Sequence, residues 1–381
     1  MTPIVSKLPN TGTTIFTVLS ALANKVGAIN LSQGFPDFDT SPILIDLVNK
    51  AMLSGKNQYA PMAGVLALRE QIAIKTKKLY GSNYNPETEI TVTAGGTQAI
   101  FTAIAALINQ NDEVIIFEPA YDCYAPAIRL AGGIVKSLEL EPPDYKIPWD
   151  MVKKLANSKT RMIILNSPHN PTATILQKQD IEELSALVRN QEILILSDEV
   201  YEHLIFDNQI HHSMASYPEL QQKSIIVSSF GKTLHATGWK AGYCIGPEYL
   251  MNEFRKVHQF LVFSVNTPMQ YAIAEYLKDE NTYLGLSNFF QEKRDYFREG
   301  MTQTRFELLS SAGTYFQMAT YQKITDESDY DFAIRLTKEK GVAAIPVSSF
   351  YSKGTDHHVL RFCFAKQKET LEKALEKLIK V

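Results

Sequence analysis

The sequence predicts an α/β protein built on a large, doubly wound and mostly parallel β-sheet. Between residues 89 and 246, short runs rich in leucine and β-branched residues alternate with amphipathic helical patterns: EITVTA, EVIIFEP, RMIILNSP, ILILSDEVY, SIIVSSF and AGYCIG. Near-continuous apolar runs are typical of parallel strands buried on both faces of a sheet, with helices as the connections. After about residue 285, three strand-like pieces surround one helix, which predicts a smaller α+β domain.

A length of 381 residues also favours two domains over a single core. We expect residues 45–285 to form the large domain and residues 286–381 to form most of the small one. Residues 1–44 are expected to pack with the small domain, because they are too few to fold alone.

The composition argues against several classes of protein. With 38 Lys and Arg against 41 Asp and Glu, the net charge is −3, and we predict neither a nucleic-acid nor a membrane partner. The N-terminus lacks the apolar run of a secretory signal, and no apolar run approaches the ~20 residues that a membrane span needs. Three well-separated cysteines fit neither a disulfide framework nor a zinc site, which favours a cytoplasmic protein.

Helical patterns flank the strands in order. A short helix over residues 15–23 precedes the loop INLSQGFPDFDTSP, and Pro42 then opens a second helix. An extended stretch around Tyr59 leads into a helix that ends at Gly81. In the C-terminal part, a long helix is expected over residues 288–309 and a last amphipathic helix from Lys368.

Residues 224–247 are predicted to form a strand, a polar turn and a second strand. The turn holds Lys232 where the first strand ends, and Lys240 follows just past a glycine. Hydroxyls, glycines and two spaced cations at a strand end suit an anionic ligand that bears a carbonyl group. From this stretch alone, a solvated loop with two surface lysines is an equally good interpretation.

Ligands of open parallel sheets bind at the carboxyl ends of the strands, so the residues just past each strand bear on function. Gly95, Gly96 and Thr97 open a helix whose free N–H groups favour an anion. The residues just past the other strands are each explained as well, when taken alone, by a turn or by packing. The remaining strand ends carry an aromatic ring, two asparagines between prolines, a buried acid with a tyrosine, and a hydroxyl: Tyr121, Asn166, Asn170, Asp198, Tyr201 and Ser229.

Together these residues match what pyridoxal 5′-phosphate (PLP) requires. Its aldehyde needs an amine, its ring nitrogen a carboxylate, and its phenolic oxygen hydrogen-bond donors. Its phosphate needs a helix terminus, a hydroxyl and a cation, and its flat ring suits a stacking aromatic side chain. The whole set in sheet order therefore predicts a PLP site and no metal.

The motifs NSPHNPT, SDEVYE and SSFGKT…GWKAGY resemble those of the class I aminotransferases, PLP enzymes of fold type I. With LSQGFPDF, NQYAPMAG, EPAYDCYAPAI and LRFCFAK, the resemblance covers nearly the whole chain. The chain most resembles the kynurenine/glutamine aminotransferase subgroup and, within that subgroup, the bacterial methionine aminotransferases.

The resemblance implies a role for each cofactor residue. Lys232 would be the Schiff-base lysine and would shuttle the proton, and Asp198 would pair with the ring nitrogen. Tyr201 and Asn170 would bind the phenolic oxygen, and Tyr121 would stack on the ring. The phosphate would be held by Gly96, Thr97, Ser229 and Lys240. Many relatives have arginine at the position of Lys240.

For the substrate, the resemblance implies that Arg361 clamps the α-carboxylate, helped by Asn166 and the Gly34 main chain. It also implies a homodimer with shared active sites. Tyr59 would reach the phosphate of the neighbouring subunit, and Phe263 is expected to cross into its substrate pocket.

We predict transfer of the amino group of methionine, and of aromatic or other apolar amino acids, to a 2-oxo acid by ping-pong double displacement. Thr97 and Ser264 stand where the kynurenine group often has tyrosine and histidine, so a preference for kynurenine does not follow. An apolar, sulfur-tolerant pocket is indicated by four aromatic residues: Phe16, Tyr59, Tyr121 and Phe263.

Three alternatives stay open at this point. A kynurenine/glutamine-type transaminase and a cysteine-conjugate C–S β-lyase share the fold and the lysine. The lyase would expel a β-substituent and release pyruvate and ammonia without any oxo acid. A non-catalytic regulator on this fold would carry a DNA-binding domain, for which about 40 N-terminal residues without a basic excess are too few.

Overall fold

The computed structural model describes residues 4–9 and 11–381. The strands are β1 Ile29–Asn30, β2 Ile90–Thr93, β3 Glu113–Glu118, β4 Ile134–Glu139, β5 Thr160–Asn166, β6 Leu194–Asp198, β7 Ser224–Ser229, β8 Gly242–Ile245, β9 Glu307–Leu308, β10 Phe316–Thr320, β11 Val342–Ala343, β12 Ile345–Pro346 and β13 Val359–Cys363. The α-helices are α1 Ile15–Val26, α2 Pro42–Leu53, α3 Leu66–Tyr80, α4 Gly96–Leu107, α5 Tyr124–Leu130, α6 Trp149–Leu155, α7 Lys178–Val188, α8 Pro218–Gln221, α9 Phe230–Thr233, α10 Glu248–Leu261, α11 Thr267–Tyr276, α12 Asn281–Leu284, α13 Leu286–Met301, α14 Asp329–Arg335 and α15 Lys368–Leu378.

In the described part of the chain, the large sheet has seven strands in the order β2-β8-β7-β6-β5-β3-β4. Its neighbours from β4 to β7 are parallel, whereas β8 is antiparallel to both β7 and β2. This confirms the predicted doubly wound, mostly parallel sheet. One strand, β4, was not predicted, because it is a largely half-buried edge strand whose sequence, IVKSLE, lacks a continuous apolar run.

The large sheet is covered on both faces, and its strands alternate between two apolar cores. On β3, Val114 and Ile116 pack into a core that includes residues of α4, α5 and α10. Ile115 and Phe117, between and beyond them, pack into the core on the other face. This alternation follows from the two-residue period of a strand.

A second sheet, in the order β12-β13-β10-β9, is formed by the C-terminal part of the chain. The N-terminal segment contacts that part through β1, which pairs in parallel with β11. The helix expected over residues 288–309 was predicted too long. It ends at Met301, since Glu307 and Leu308 instead pair with β10.

Two further points bear on the predicted organisation. The division into two domains, with boundaries at residues 44/45 and 285/286, stays a prediction. Across residues 4–9 and 11–381, no helix is both long and apolar enough to cross a membrane.

Candidate functional site

The carboxyl ends of the central strands meet at one edge of the large sheet. In the register of the sheet, Asn166 at the end of β5 lies beside Asp198 at the end of β6. Ser229 at the end of β7 lies beside Gly242 on β8. Most of the predicted cofactor residues line one cavity at this edge: Gly96, Thr97, Tyr121, Asn166, Asn170, Asp198, Tyr201, Ser229, Lys232 and Lys240.

Lys232 is carried by α9, a single helical turn that directly follows β7. Its Nζ donates to the Tyr315 hydroxyl at 2.7 Å and to the Gly34 carbonyl at 3.0 Å. Burial lowers the pKa of this amine to about 8, with the charges of Arg361 and Lys240 acting in the same direction. An amine of this pKa is partly unprotonated at neutral pH, so it can act as a nucleophile and as a base.

Asp198 is a buried carboxylate at the centre of the cavity. Its Oδ2 accepts a hydrogen bond from the Tyr124 hydroxyl at 2.6 Å, and its Oδ1 accepts one from the Val200 N–H at 3.3 Å. Burial raises its pKa to about 6. None of the ion pairs within the described residues includes Asp198, so its charge suits a cation brought by a ligand.

The start of α4 provides an anion site. Gly95 precedes the helix with a φ of 83°, a conformation that favours glycine. A Cβ built on Gly95 would lie 3.6 Å from the Lys240 amine, which places this cation beside the helix N-terminus. The Thr97 hydroxyl in the first turn is 3.0 Å from the Tyr121 hydroxyl. Free N–H groups, a hydroxyl and an ammonium group together suit a phosphate.

Arg361 on β13 is a buried guanidinium between the two sheets' ends. Its Nη1 donates to Asn170 Oδ1 at 2.6 Å and its Nη2 to the Ser32 carbonyl at 3.1 Å. Its Nε has no hydrogen-bond partner in the described chain. Burial lowers its pKa to about 10, so it stays charged at neutral pH. Such a group binds carboxylates through two parallel hydrogen bonds.

Aromatic rings surround this guanidinium. Its Cζ lies 3.8 Å from the ring centre of Phe316, 5.4 Å from that of Phe16 and 5.2 Å from that of Phe350. The rings of Phe16 and Phe350 also contact each other, with centres 5.8 Å apart. The guanidinium therefore lies among aromatic rings, of which Phe16 is one of the predicted pocket residues.

The predicted helpers of Arg361 lie elsewhere in the network. Asn166 does not contact the guanidinium: its Nδ2 donates to the Asp198 carbonyl, and its Oδ1 accepts from the Asn170 N–H, both at 2.8 Å. The Gly34 carbonyl accepts from Lys232, and the carbonyl next to Arg361 is that of Ser32. A Cβ at Gly34 would come within 2.9 Å of the Phe316 ring, so glycine is required there.

Two predicted residues, Tyr59 and Phe263, are exposed at the surface. The side chains of Tyr59 and Phe263 are 81% and 58% exposed. Their rings contact each other edge to face, with centres 5.1 Å apart. Neither lines the cavity of this chain, and a role for them in a neighbouring subunit stays a prediction.

Several residues of the site were not predicted, among them Tyr124, Tyr315 and Ser32. Tyr124 stands three positions after Tyr121, a spacing that could have indicated a second tyrosine facing the same region. Tyr315 directly precedes β10 in the motif GTYFQMATY. In such an apolar, strand-like run a tyrosine is not distinguishable from a packing residue. Ser32 acts through its carbonyl, for which the sequence has no signal.

Comparisons with known proteins agree on one family. Residues 26–378 match the family model for aminotransferase class I and II. The chain is 50% identical over 374 residues to a methionine aminotransferase of Escherichia coli (strain K12), covering 98% of this chain and 97% of that one. It is 33% identical over 397 residues to kynurenine–oxoglutarate transaminase 1 of Homo sapiens, covering 94% and 93%. A crystal structure of an Escherichia coli protein with an identified methionine aminotransferase function matches at a TM-score of 0.97, with 48% identity over 100% of both chains.

Proposed function

Because the chain belongs to the class I and II aminotransferases, which are PLP enzymes, we propose that it transfers the amino group of methionine to a 2-oxo acid. Aromatic and other apolar amino acids would be further donors. The observation that carries this function is the buried Arg361 guanidinium within aromatic walls, next to a cavity that holds an amine of lowered pKa. The similarity to a methionine aminotransferase of Escherichia coli supports the choice of methionine.

The residues of the cavity fit PLP. Asp198 is a buried carboxylate without a cation, as a protonated ring nitrogen requires, and the α4 terminus with Lys240 suits the phosphate. When bound, PLP supplies an aldehyde that takes the amino group and a ring that withdraws electrons from the reacting carbon.

The chain's own residues then divide the remaining work. Lys232, with a pKa of about 8, would act as the base that takes the proton from the substrate's Cα and as the acid that gives it back. Asp198 keeps the ring nitrogen protonated. Tyr201 and Asn170 bind the phenolic oxygen, and the Asn170 amide is available for this because its Oδ1 faces Arg361. We assign ring stacking to Tyr121 and phosphate binding to Gly96, Thr97, Ser229 and Lys240.

Substrate choice follows from what surrounds Arg361. The guanidinium takes the α-carboxylate, and the rings of Phe16 and Phe350 offer an apolar surface to a thioether or an aromatic side chain. Asp122 lines the groove formed with these rings; partial burial raises its pKa, and the charge of Arg361 opposes this rise. A carboxylate here disfavours a second substrate carboxylate, so aspartate and glutamate are expected to be poor donors.

The assembly we propose is a homodimer. Exposed apolar side chains cluster around the contact between Tyr59 and Phe263, and they include Phe260, which is 87% exposed, and Leu261. A contiguous patch of this kind supports an interface. Tyr59 would reach the partner's phosphate and Phe263 the partner's substrate pocket. A cytoplasmic location is supported by three cysteines that are all unpaired and buried: Cys123, Cys244 and Cys363.

The function is tested by absorption spectra of the purified protein during titration with methionine. We expect a visible band that disappears with methionine, returns with a 2-oxo acid, and is absent in Lys232→Ala. Rates across a panel of amino donors then test the preference. Aspartate as the best donor would refute the methionine assignment, and kynurenine as the best donor would favour that transaminase. Pyruvate and ammonia from cystathionine without an oxo acid would favour a C–S β-lyase.

A further inference from the structure

We propose that Tyr315 is a positioning residue for Lys232, whose free amine it holds in place for proton transfer. The relevant part of the cycle is the one in which the Lys232 amine is not bonded to the cofactor. This role rests on the function proposed above, since it concerns the proton that the lysine carries.

The hydrogen-bond geometry assigns the direction of each bond. The Tyr315 hydroxyl donates its single proton to the Gly34 carbonyl. Its oxygen therefore accepts from Lys232, whose Nζ is 2.7 Å away, and the same Nζ also donates to Gly34 at 3.0 Å. Two acceptors fix the end of a side chain that otherwise has four rotatable bonds, so the nitrogen is held at one edge of the cavity.

Tyr315 is itself held rigidly. It is fully buried, and its ring contacts those of Tyr201 and Phe316 edge to face, with centres 5.1 and 4.9 Å away. The missing Cβ of Gly34 leaves room for the Phe316 ring, from which a Cβ would lie only 2.9 Å away, whereas Tyr315 at 3.7 Å would be in ordinary contact with it. The hydroxyl that meets the lysine is therefore set by packing.

The phenol also suits the lysine electrostatically. Burial raises the pKa of Tyr315 well above its ordinary value, so the phenol stays neutral and accepts a hydrogen bond without adding a negative charge. A carboxylate in its place would keep the amine protonated. The other titratable or charged groups that act on this amine are Asp198, Tyr201, Lys240, Arg361 and Cys363.

The variant Tyr315→Phe tests this role because it keeps the ring and removes the acceptor. We expect kcat with methionine to fall by roughly 10- to 100-fold, the size of a lost general acid–base alignment, with KM changed by less than about 3-fold. The kinetic isotope effect with α-deuterated methionine should rise, since proton transfer becomes slower than the other steps.

A second readout uses protein from which the cofactor has been removed. An acceptor favours the protonated amine, so its loss should lower the pKa of Lys232. Competitive labelling with acetic anhydride at a series of pH values, followed by peptide mass spectrometry, measures this pKa. The midpoint for Lys232 should move to lower pH in Tyr315→Phe.

The matched control is Tyr321→Phe, which removes another fully buried hydroxyl that donates to a main-chain carbonyl, that of Glu327 at 2.8 Å. It should lose comparable stability and leave kcat, the isotope effect and the labelling midpoint unchanged. If Tyr315→Phe is insoluble, p-aminophenylalanine at position 315 keeps a hydrogen-bonding group there. This protein should retain activity, and its labelling midpoint for Lys232 should stay close to that of the wild type.

Equal kcat, isotope effect and midpoint in Tyr315→Phe and Tyr321→Phe would overturn the positioning role. Loss of activity in p-aminophenylalanine protein with an unchanged midpoint would overturn it too. The labelling does not depend on methionine. A shifted midpoint in a protein that fails to transaminate methionine would therefore refute the proposed substrate and not the contact between Tyr315 and Lys232.

Discussion

The Tyr124 hydroxyl donates a hydrogen bond of 2.6 Å to Oδ2 of Asp198. This bond favours the ionised carboxylate and partly offsets the burial that raises the carboxyl pKa to about 6. A residue on a different element, at the start of α5, thus lowers the pKa of the carboxyl group that we propose as the partner of the ring nitrogen.

Removing this hydroxyl should weaken PLP binding. In Tyr124→Phe the pKa of Asp198 rises further, so less of the carboxylate is available to pair with the ring nitrogen at neutral pH. We expect about a 10-fold loss of affinity, as for one hydrogen bond to a charged group. Titration of the cofactor-free protein with PLP measures it. Tyr145→Phe, which removes a buried hydroxyl without a partner in the described chain, is the control. Equal affinities of the two variants would contradict this.

Asp198 should also make the cofactor-free protein less stable as the pH rises. Its folded pKa of about 6 lies above the unfolded value, so the folded state binds the proton more tightly. The contribution is greatest below about pH 4 and is lost as the pH rises through about 6, on the order of 3 kcal/mol in all. Asp198→Asn cannot ionise, so its free energy of unfolding should lack this decline.

Urea unfolding between pH 4 and 8 measures this difference. Added PLP should reduce the decline in the wild type alone, because the ring cation pairs with the carboxylate. Parallel pH profiles of the wild type and Asp198→Asn would show that burial of Asp198 has no energetic cost.

The guanidinium of Arg361 should not be replaceable by an ammonium group. In Arg361→Lys the link to Asn170 and Ser32 is broken, and the two-pronged contact with a carboxylate is lost. We expect kcat/KM for methionine to fall by on the order of 100-fold, mainly through KM. Steady-state kinetics measure it, with Arg189→Lys, at an exposed arginine just after α7, as the control. A change of less than about 3-fold would place the substrate carboxylate elsewhere.

The exposed apolar patch should hold two subunits together. Phe260→Asp introduces a charge where a side chain is 87% exposed, so an isolated chain should tolerate it, whereas an interface should not. We expect sedimentation to show dissociation and the activity to fall with it. Tyr249→Asp, at another exposed aromatic residue on α10, should leave the assembly unchanged. A monomeric wild type with full activity would exclude shared sites.

Much of the site was predictable because parallel strands bring their carboxyl ends together. The apolar runs identified β5, β6 and β7, and the register then places Asn166 beside Asp198. Residues that follow the strands, such as Lys232 and Gly96, could therefore be grouped from the sequence alone.

The rest depended on contacts between distant segments. Nothing local to Tyr124 indicates that it meets a carboxylate 74 positions away, and Tyr315 meets Gly34 across 281 positions. Helix ends set by pairing, such as that of α13 before β9, are invisible for the same reason. Such contacts are decided by tertiary packing and not by spacing along the chain.

The separation between Arg361 and Ser32, 329 positions, also sets the order in which the site can form during synthesis. The segments that line the cavity around Lys232 and Asp198 are synthesised before Arg361, because all of them precede it in the chain. Closing so long a loop is entropically costly and late. A nascent chain can therefore form its cofactor cavity before Arg361, the residue proposed to bind the substrate carboxylate, has been synthesised. Cofactor binding would then precede the ability to transaminate.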